Sequence, residues 1–127
     1  MIAYTTLGTN DLERAARFYD ELLAVIGAKR VMEDPGTFIA YGNSKEGAGL
    51  GITVPFDRQA ATVGNGTMVA LEAKDSAQVD TLHARALALG GTDEGAPGER
   101  FPGFYAGYFR DLDGNKLSIA YMTFDAA

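Results

Sequence analysis

The chain has 127 residues, none of them cysteine and only one of them histidine. Without cysteine it can form no disulfide framework, thiol nucleophile or cysteine-ligated metal centre. Any histidine-based metal site, catalytic triad or proton shuttle would have to rely on His83 alone. Chemistry that needs two imidazole groups is therefore excluded.

Positive charge is also scarce: 17 aspartates and glutamates outnumber 11 lysines and arginines, and the formal net charge is −6. That balance repels phosphate backbones and anionic lipids, so we expect neither nucleic acid nor a membrane surface as a partner. No apolar run approaches the roughly 20 residues that cross a bilayer. Met1 leads directly into a threonine-rich strand rather than a signal peptide. We expect a cytoplasmic protein.

What is present is typical of one folded domain over residues 1–127, with 46% hydrophobic and 22% charged residues. The same order of predicted elements occurs twice, at an offset of 64 residues. Residues 1–57 form module one and residues 64–127 form module two, with the linker over residues 55–65. Neither module could cover its sheet alone, so we expect the two to pack together or to swap with another chain.

Each module is predicted as a strand, a helix and three further strands. Asn10, with Glu13 three residues later, predicts the start of the first helix as a capping box, and Gly27 predicts its end. Asp75 predicts the cap of the second helix. The second module then continues with an irregular strand near residues 92–94 and two stronger ones.

The segments at residues 4–15, 64–71, 95–98, 105–111 and 113–115 carry a resemblance that covers nearly the whole chain. In their order and spacing they resemble the vicinal oxygen chelate superfamily of glyoxalases, bleomycin resistance proteins and extradiol dioxygenases. The resemblance implies an α+β fold in which two βαβββ modules form half-barrels, each with its helix on the convex side. It also implies a cavity on the concave side.

Many relatives hold a divalent metal in that cavity. Carried over by the resemblance, their ligand positions are Tyr4, Gly51, Met68 and Ser118 in this chain, and none is a histidine or a carboxylate. A divalent transition metal wants about three imidazole or carboxylate ligands. We therefore expect no metal and no cofactor in the family site, which counts against glyoxalase, extradiol dioxygenase and metal-dependent epimerase activity.

Strand alternation assigns the faces: Val69 and Leu71 would pack on the helix, so their neighbours would point into the cavity. Residues 101–109 hold five aromatics beside Arg100, a pattern that fits strand core packing as well as a pocket rim. As a rim it would stack a planar or apolar ligand, while Arg100 pairs an anionic group. The predicted ligand-binding cavity comprises Tyr4, Thr6, Met68, Glu72, Arg100, Phe104, Tyr105, Tyr108, Lys116 and Ser118.

Three other candidates carry weaker hypotheses. Glu72, with a pKa raised by burial, is a candidate for a general base, with Lys116 as its partner or as an electrophile. His83 lies about 80° from the apolar stripe of its helix, which favours a solvent-edge residue over a catalytic one. Asp111 and Asp113 fit a polar hairpin turn better than a calcium loop.

We predict a metal-independent small-molecule binding protein of the bleomycin-resistance type, for which the resemblance implies a homodimer. Acidic net charge would also suit cationic ligands. The alternative is a glyoxalase- or dioxygenase-like enzyme, a lyase, isomerase or oxygenase acting on a small vicinal-oxygen substrate. A third possibility is an interaction module whose cavity is filled. Whether the modules pair within one chain or between chains stays open.

Overall fold

The computed structural model describes residues 1–124, so the last three residues assigned to module two lie outside the described part. Within it the chain forms two helices and eight strands, in the order expected for a repeated module. In chain order they are β1 (Tyr4–Gly8), α1 (Leu12–Ala24), β2 (Lys29–Asp34), β3 (Phe38–Gly42), β4 (Gly49–Thr53), β5 (Val69–Glu72), α2 (Ser76–Ala88), β6 (Thr92–Phe101), β7 (Phe104–Arg110) and β8 (Lys116–Met122).

The strands form two separate four-stranded sheets. Sheet A has the order β1-β4-β3-β2, and sheet B has the order β5-β8-β7-β6. In each sheet the first strand pairs in parallel with the last strand of its module, and the other pairs are antiparallel. Helix α1 packs on sheet A and α2 on sheet B. This arrangement confirms the predicted α+β fold of two βαβββ modules.

Helix α1 begins one residue later than predicted. Its N-cap is Asp11, whose side chain accepts the Arg14 backbone N–H at 3.0 Å. Asn10 instead bonds the linker, where its side-chain oxygen accepts the Ala61 backbone N–H at 2.7 Å. The capping box of Asn10 and Glu13 is therefore wrong. Asp75 caps α2 as predicted.

Alternation along the strands decides which side chains are buried. Leu7 is 6% exposed and faces α1, whereas Tyr4, three residues earlier, is 70% exposed. The same parity holds in β8, where Leu117 and Ile119 are buried against α2. The predicted faces of these strands are thus confirmed. In each sheet one face packs on the helix, and we name the opposite face, which the helix does not cover, the open face of that sheet.

Strand β6 is much longer than the irregular strand predicted near residues 92–94. It runs over ten residues beside β7, with register shifts around Gly95, Gly98 and Phe101. Bulges of this kind accommodate the glycines and the proline of residues 95–98 within the strand. Residues 99–101 are consequently part of the sheet rather than a free rim.

The two modules meet through their helices and through the hairpin turn at residues 111–115. Asp113 accepts the Thr9 hydroxyl at 2.6 Å and the Asn10 backbone N–H at 2.9 Å. The turn closes on itself as well, because the Gly114 N–H donates to the carbonyl of Asp111. The polar hairpin turn predicted for these aspartates is therefore confirmed. In the described residues no helix has the length and apolarity to cross a bilayer.

Candidate ligand-binding face

Small side chains form the floor of the open face of sheet A. Thr6 pairs with Gly51, and Gly51 pairs with Ala40, so a row of small residues crosses three neighbouring strands. Tyr4 and Met32 stand at the sides of this floor and are 70% and 60% exposed. The predicted cavity residues Tyr4 and Thr6 therefore do lie on the open face.

On the open face of sheet B the central row is Ala70, Ser118 and Tyr108, which are register partners on three neighbouring strands. Ser118 is 1% exposed, and its hydroxyl oxygen has no hydrogen-bond partner among residues 1–124. A buried hydroxyl without a partner costs about 1–3 kcal/mol. Ser118 is thus a buried polar group of this face without a hydrogen-bond partner in the part of the chain that the structure describes.

Two cations flank the ring of Tyr108. The Arg100 guanidinium carbon lies 5.2 Å from the ring centroid, and the Lys116 Nζ lies 5.6 Å from it. Both separations are within cation–π range. Arg100 reaches this place across Gly95, where a Cβ would come within 3.1 Å of the Tyr108 ring and 3.4 Å of the guanidinium.

Glu72 and Lys116 do not meet. In the parallel register Glu72 pairs with Ala120, four residues along β8 from Lys116, which corresponds to about 13 Å. The Glu72 side chain is exposed and forms neither a hydrogen bond nor an ion pair with another described residue. The hypothesis of Glu72 as a general base with Lys116 as its partner finds no support in this geometry.

Tyr105 does not belong to the open face, which corrects its assignment to the cavity. Its hydroxyl donates to Asp80 of α2 at 2.6 Å, and that hydrogen bond raises the pKa of Tyr105. Phe104, its neighbour, lies on the open side and stacks on Phe101 at a centroid distance of 5.0 Å. Alternation already separated these two residues, since Tyr105 shares the parity of the buried Phe109.

His83 is buried rather than at the solvent edge. It is 5% exposed, and its Nε2 lies 3.1 Å from both a carboxylate oxygen of Asp93 and the carbonyl of Tyr108. The Gly95 backbone N–H, and after it His83, lower the pKa of Asp93. Strands β6 and β7 cover this side of α2, which helical periodicity alone could not reveal. His83 therefore anchors β6 behind the open face and does not line it.

The family's metal positions hold no fitting set of ligands. The register places Gly51 beside Thr6 and Ser118 beside Ala70, at matching places in the two sheets. Their side chains, with those of Tyr4 and Met68, offer a hydroxyl, a phenol and a thioether but neither imidazole nor carboxylate. No group of three or more metal-binding side chains occurs within residues 1–124. The residues present do not fit a divalent transition metal.

The fold and its surface define a two-module α+β protein with one open sheet face in each module. The sequence profile of the Glyoxalase/Bleomycin resistance protein/Dioxygenase superfamily matches residues 1–119. The chain belongs to this superfamily, as its sequence resemblance predicted.

Solved structures agree with this membership. A glyoxalase/bleomycin resistance protein from Albidiferax ferrireducens is 36% identical, with a TM-score of 0.87 over 97% of this chain and 99% of that one. A glyoxalase-related enzyme from Fulvimarina pelagi is 28% identical, with a TM-score of 0.74 over 99% of both chains. A lactoylglutathione lyase from Agrobacterium tumefaciens is 28% identical, with a TM-score of 0.67 over 94% of this chain and 92% of that one. No protein of curated function matches this chain.

Proposed function

We propose that this protein binds a small molecule on the open faces of its sheets without using a metal ion. The observation that carries the proposal is the Ser118 hydroxyl, which is buried and has no hydrogen-bond partner among residues 1–124. The hydroxyl is covered by its neighbours, so a polar ligand group reaches it only when those side chains move, and the bond then made would offset the cost of the missing one. The aromatic and cationic side chains of Tyr108, Arg100 and Lys116 beside it add groups that orient a ligand.

A homodimer is part of the proposal, because no other residue in the described range 1–124 closes the open face of sheet A. Exposed apolar side chains border sheet A, with Tyr4 at 70%, Val31 at 63% and Met32 at 60%. Strands β1 and β5 also present unpaired edges, which proteins usually cover. A second copy of the chain would cover faces and edges together. Light scattering at micromolar concentration is expected to give the mass of two chains, and the mass of one chain would contradict this part.

Metal loading tests the central claim. Protein stripped with a chelator is offered zinc, nickel, iron or manganese, and bound metal is measured by elemental analysis together with the melting temperature. We expect far less than one metal per chain and no rise in melting temperature. Stoichiometric metal with a clear rise would overturn the metal-independent proposal, because a ligand specific to the folded state stabilises it.

A glyoxalase- or dioxygenase-like enzyme is the second candidate. The similarity to a lactoylglutathione lyase from Agrobacterium tumefaciens, at 28% identity, is the observation that favours it. A lactoylglutathione lyase assay of the metal-offered protein separates the two candidates. If activity is found, Glu72→Gln then tests the general-base hypothesis, and unchanged activity would remove Glu72 from it.

If the open faces of the sheets are filled, the protein would serve as an interaction module and bind no small molecule there. Displacement of a fluorescent hydrophobic dye by small aromatic compounds is the expected behaviour of an open binding face, and failure of every compound to displace it favours the interaction module. Nucleic acid and membranes stay outside the proposed partners, since the net charge of −6 disfavours both. A cytoplasmic location also belongs to the proposal, and cell fractionation tests it.

A further inference from the structure

A cavity of about 360 Å³ lies between the two modules, beside the unpaired edge of β5. Its walls come from the end of α1, from β4 with the loop before it, and from β5. Its apolar side chains include Leu23, Ile26, Leu50, Val69 and Leu71. Ser118, Tyr108 and Arg100 do not border it. The cavity is therefore a different place from the central row on the open face of sheet B.

The packing of β5 reflects this space. Leu71 is the equivalent of Leu7 in the repeat, since the two are 64 residues apart and each faces the helix of its own module. Leu7 is 6% exposed, whereas Leu71 is only half-buried because it borders the cavity. A cavity of about 150 Å³ is enough for benzene. The cavity between the modules thus has room for an aromatic ring that carries a short chain.

One carboxylate gives this cavity its charge. Among residues 1–124, Glu72 is the only charged residue that borders the cavity. Its side chain is exposed and forms no ion pair with another described residue. Lys74, two residues further along the chain, does not border the cavity and does not pair with Glu72. A negative charge without a partner in the described residues therefore lies at the exposed side of an apolar cavity.

The other polar side chains of the cavity offer acceptors more than donors. The Asn43 side-chain N–H donates to the Ile26 carbonyl at 3.0 Å, and no described residue donates to the Asn43 side-chain oxygen. The Tyr41 hydroxyl already donates to Asp20 at 2.8 Å. Thr5 adds a hydroxyl that can donate or accept. An ammonium group, which only donates hydrogen bonds, fits this set, whereas a carboxylate would meet a like charge.

We propose that the cavity between the modules is a second binding site, and that it takes a small organic cation with a primary ammonium group and an apolar body the size of an aromatic ring. The ammonium group pairs with the Glu72 carboxylate, and the apolar body lies between Leu50 and Leu71. This inference goes beyond the proposed function, because it concerns a different place in the molecule. Its failure would leave ligand binding on the open faces standing.

The experiment uses the full-length protein labelled with nitrogen-15 and three probes of similar shape: phenethylamine, phenethyl alcohol and hydrocinnamate. Amide chemical shifts are followed during each titration. Phenethylamine is expected to cause saturable shifts at Leu50, Leu71 and Glu72, and to bind about fivefold more tightly than phenethyl alcohol. Hydrocinnamate is expected to bind most weakly, since its carboxylate is repelled by that of Glu72.

Two variants separate the charge of the cavity from its room. Glu72→Gln keeps the shape and removes the charge, so it should lower the affinity for phenethylamine about fivefold and leave that for phenethyl alcohol unchanged. Ala28→Val takes up part of the cavity and should weaken the binding of both probes. Glu99→Gln, at an exposed position of β6 that does not border the cavity, is the matched control for the loss of one negative charge. Melting temperatures verify that the variants fold.

Equal binding of phenethylamine and phenethyl alcohol, unchanged by Glu72→Gln, would overturn the cationic ligand class. Tighter binding of hydrocinnamate would also overturn it. If no probe shifts the residues around the cavity, the site itself is refuted, as expected if a second copy of the chain covers the edge of β5. Shifts at Tyr108 and Ser118 in place of the cavity residues would overturn this inference and support the proposed function.

Discussion

The two modules meet at two related places, and only one of them is filled. At the turn junction, residues 111–115 of module two lie on the start of α1 in module one. At the corresponding place, which we name the cavity junction, the loop at residues 43–48 lies across a cavity from β5, and the end of α1 contacts the start of α2. There a cavity of about 360 Å³ remains, bordered by Leu23, Ile26, Leu50, Leu71 and others.

Different residues at equivalent positions produce this difference. Tyr19 of α1 and His83 of α2 are 64 residues apart and therefore equivalent in the repeat. The Tyr19 hydroxyl donates to Asp111 across the turn junction at 2.5 Å, whereas His83 bonds Asp93 within its own module. The halves of this duplicated fold are thus joined by the Tyr19 hydroxyl at the turn junction, whereas the equivalent His83 makes its hydrogen bonds within module two.

The largest effect is expected from Asp111→Ala at the turn junction. Asp111 is 6% exposed and accepts the Tyr19 hydroxyl, the Asn115 side-chain amide and two backbone N–H groups. Removing it leaves several buried donors without acceptors, so the free energy of unfolding should fall by about 3–5 kcal/mol. Urea unfolding measures this loss. Asp34→Ala, at an exposed position of β2, is the control. An equal loss of unfolding free energy in both variants would contradict a special contribution of the turn junction to stability.

The second-largest effect is expected from alkaline pH, which should weaken the turn junction. Burial and the Asp111 carboxylate raise the pKa of Tyr19 well above its usual value near 10. The pKa of Tyr19 is thus higher in the folded protein than in the unfolded chain. The protonated Tyr19 hydroxyl therefore contributes its full stabilisation below about pH 10, and this stabilisation is lost as pH rises towards the pKa of the folded state. Each pH unit in that window should lower the free energy of unfolding by about 1.4 kcal/mol. Tyr19→Phe should reduce that slope in urea unfolding at pH 10–11, while Tyr4→Phe, at an exposed position, should not.

How far the sequence predicts these features depends on how local their causes are. The order of elements follows from apolar periodicity, which each helix and strand carries in its own residues. The burial of His83 depends on β6 and β7, which are distant in sequence, and no periodicity in α2 contains that information. The contact of Tyr19 with Asp111 joins positions 92 residues apart.

The candidate site was predictable in part for the same reason. Alternation placed Tyr4, Thr6 and Ser118 on the open face, because strand geometry fixes the side on which each residue lies. The long bulged β6 could not be predicted from residues 92–101 alone, since its bulges are defined only by pairing with β7. The position of Arg100 over Tyr108 depends on those bulges.

At the cavity junction, Gln78→Ala should have a moderate effect. The Gln78 side chain donates to the Val25 carbonyl at the end of α1 at 3.0 Å and accepts the Lys74 backbone N–H at 2.9 Å. Loss of these bonds should lower the free energy of unfolding by about 1–2 kcal/mol, less than Asp111→Ala. Gln59→Ala in the exposed linker is the matched control. A loss as large as that of Asp111→Ala would show that the two junctions contribute equally.

The smallest expected effect is a gain from filling the cavity junction. Ala28 lines the cavity, and Ala28→Val adds two carbon atoms where there is room for them. Burying apolar carbon contributes about 0.8 kcal/mol per group when burial is complete, and this cavity is partly open, so a gain of about 0.5–1 kcal/mol is expected in urea unfolding. Ala60→Val, at an exposed linker position, should leave stability unchanged. Destabilisation by Ala28→Val but not by Ala60→Val would mean that the cavity walls lack room, and the contrast between a filled and an unfilled junction would then be wrong.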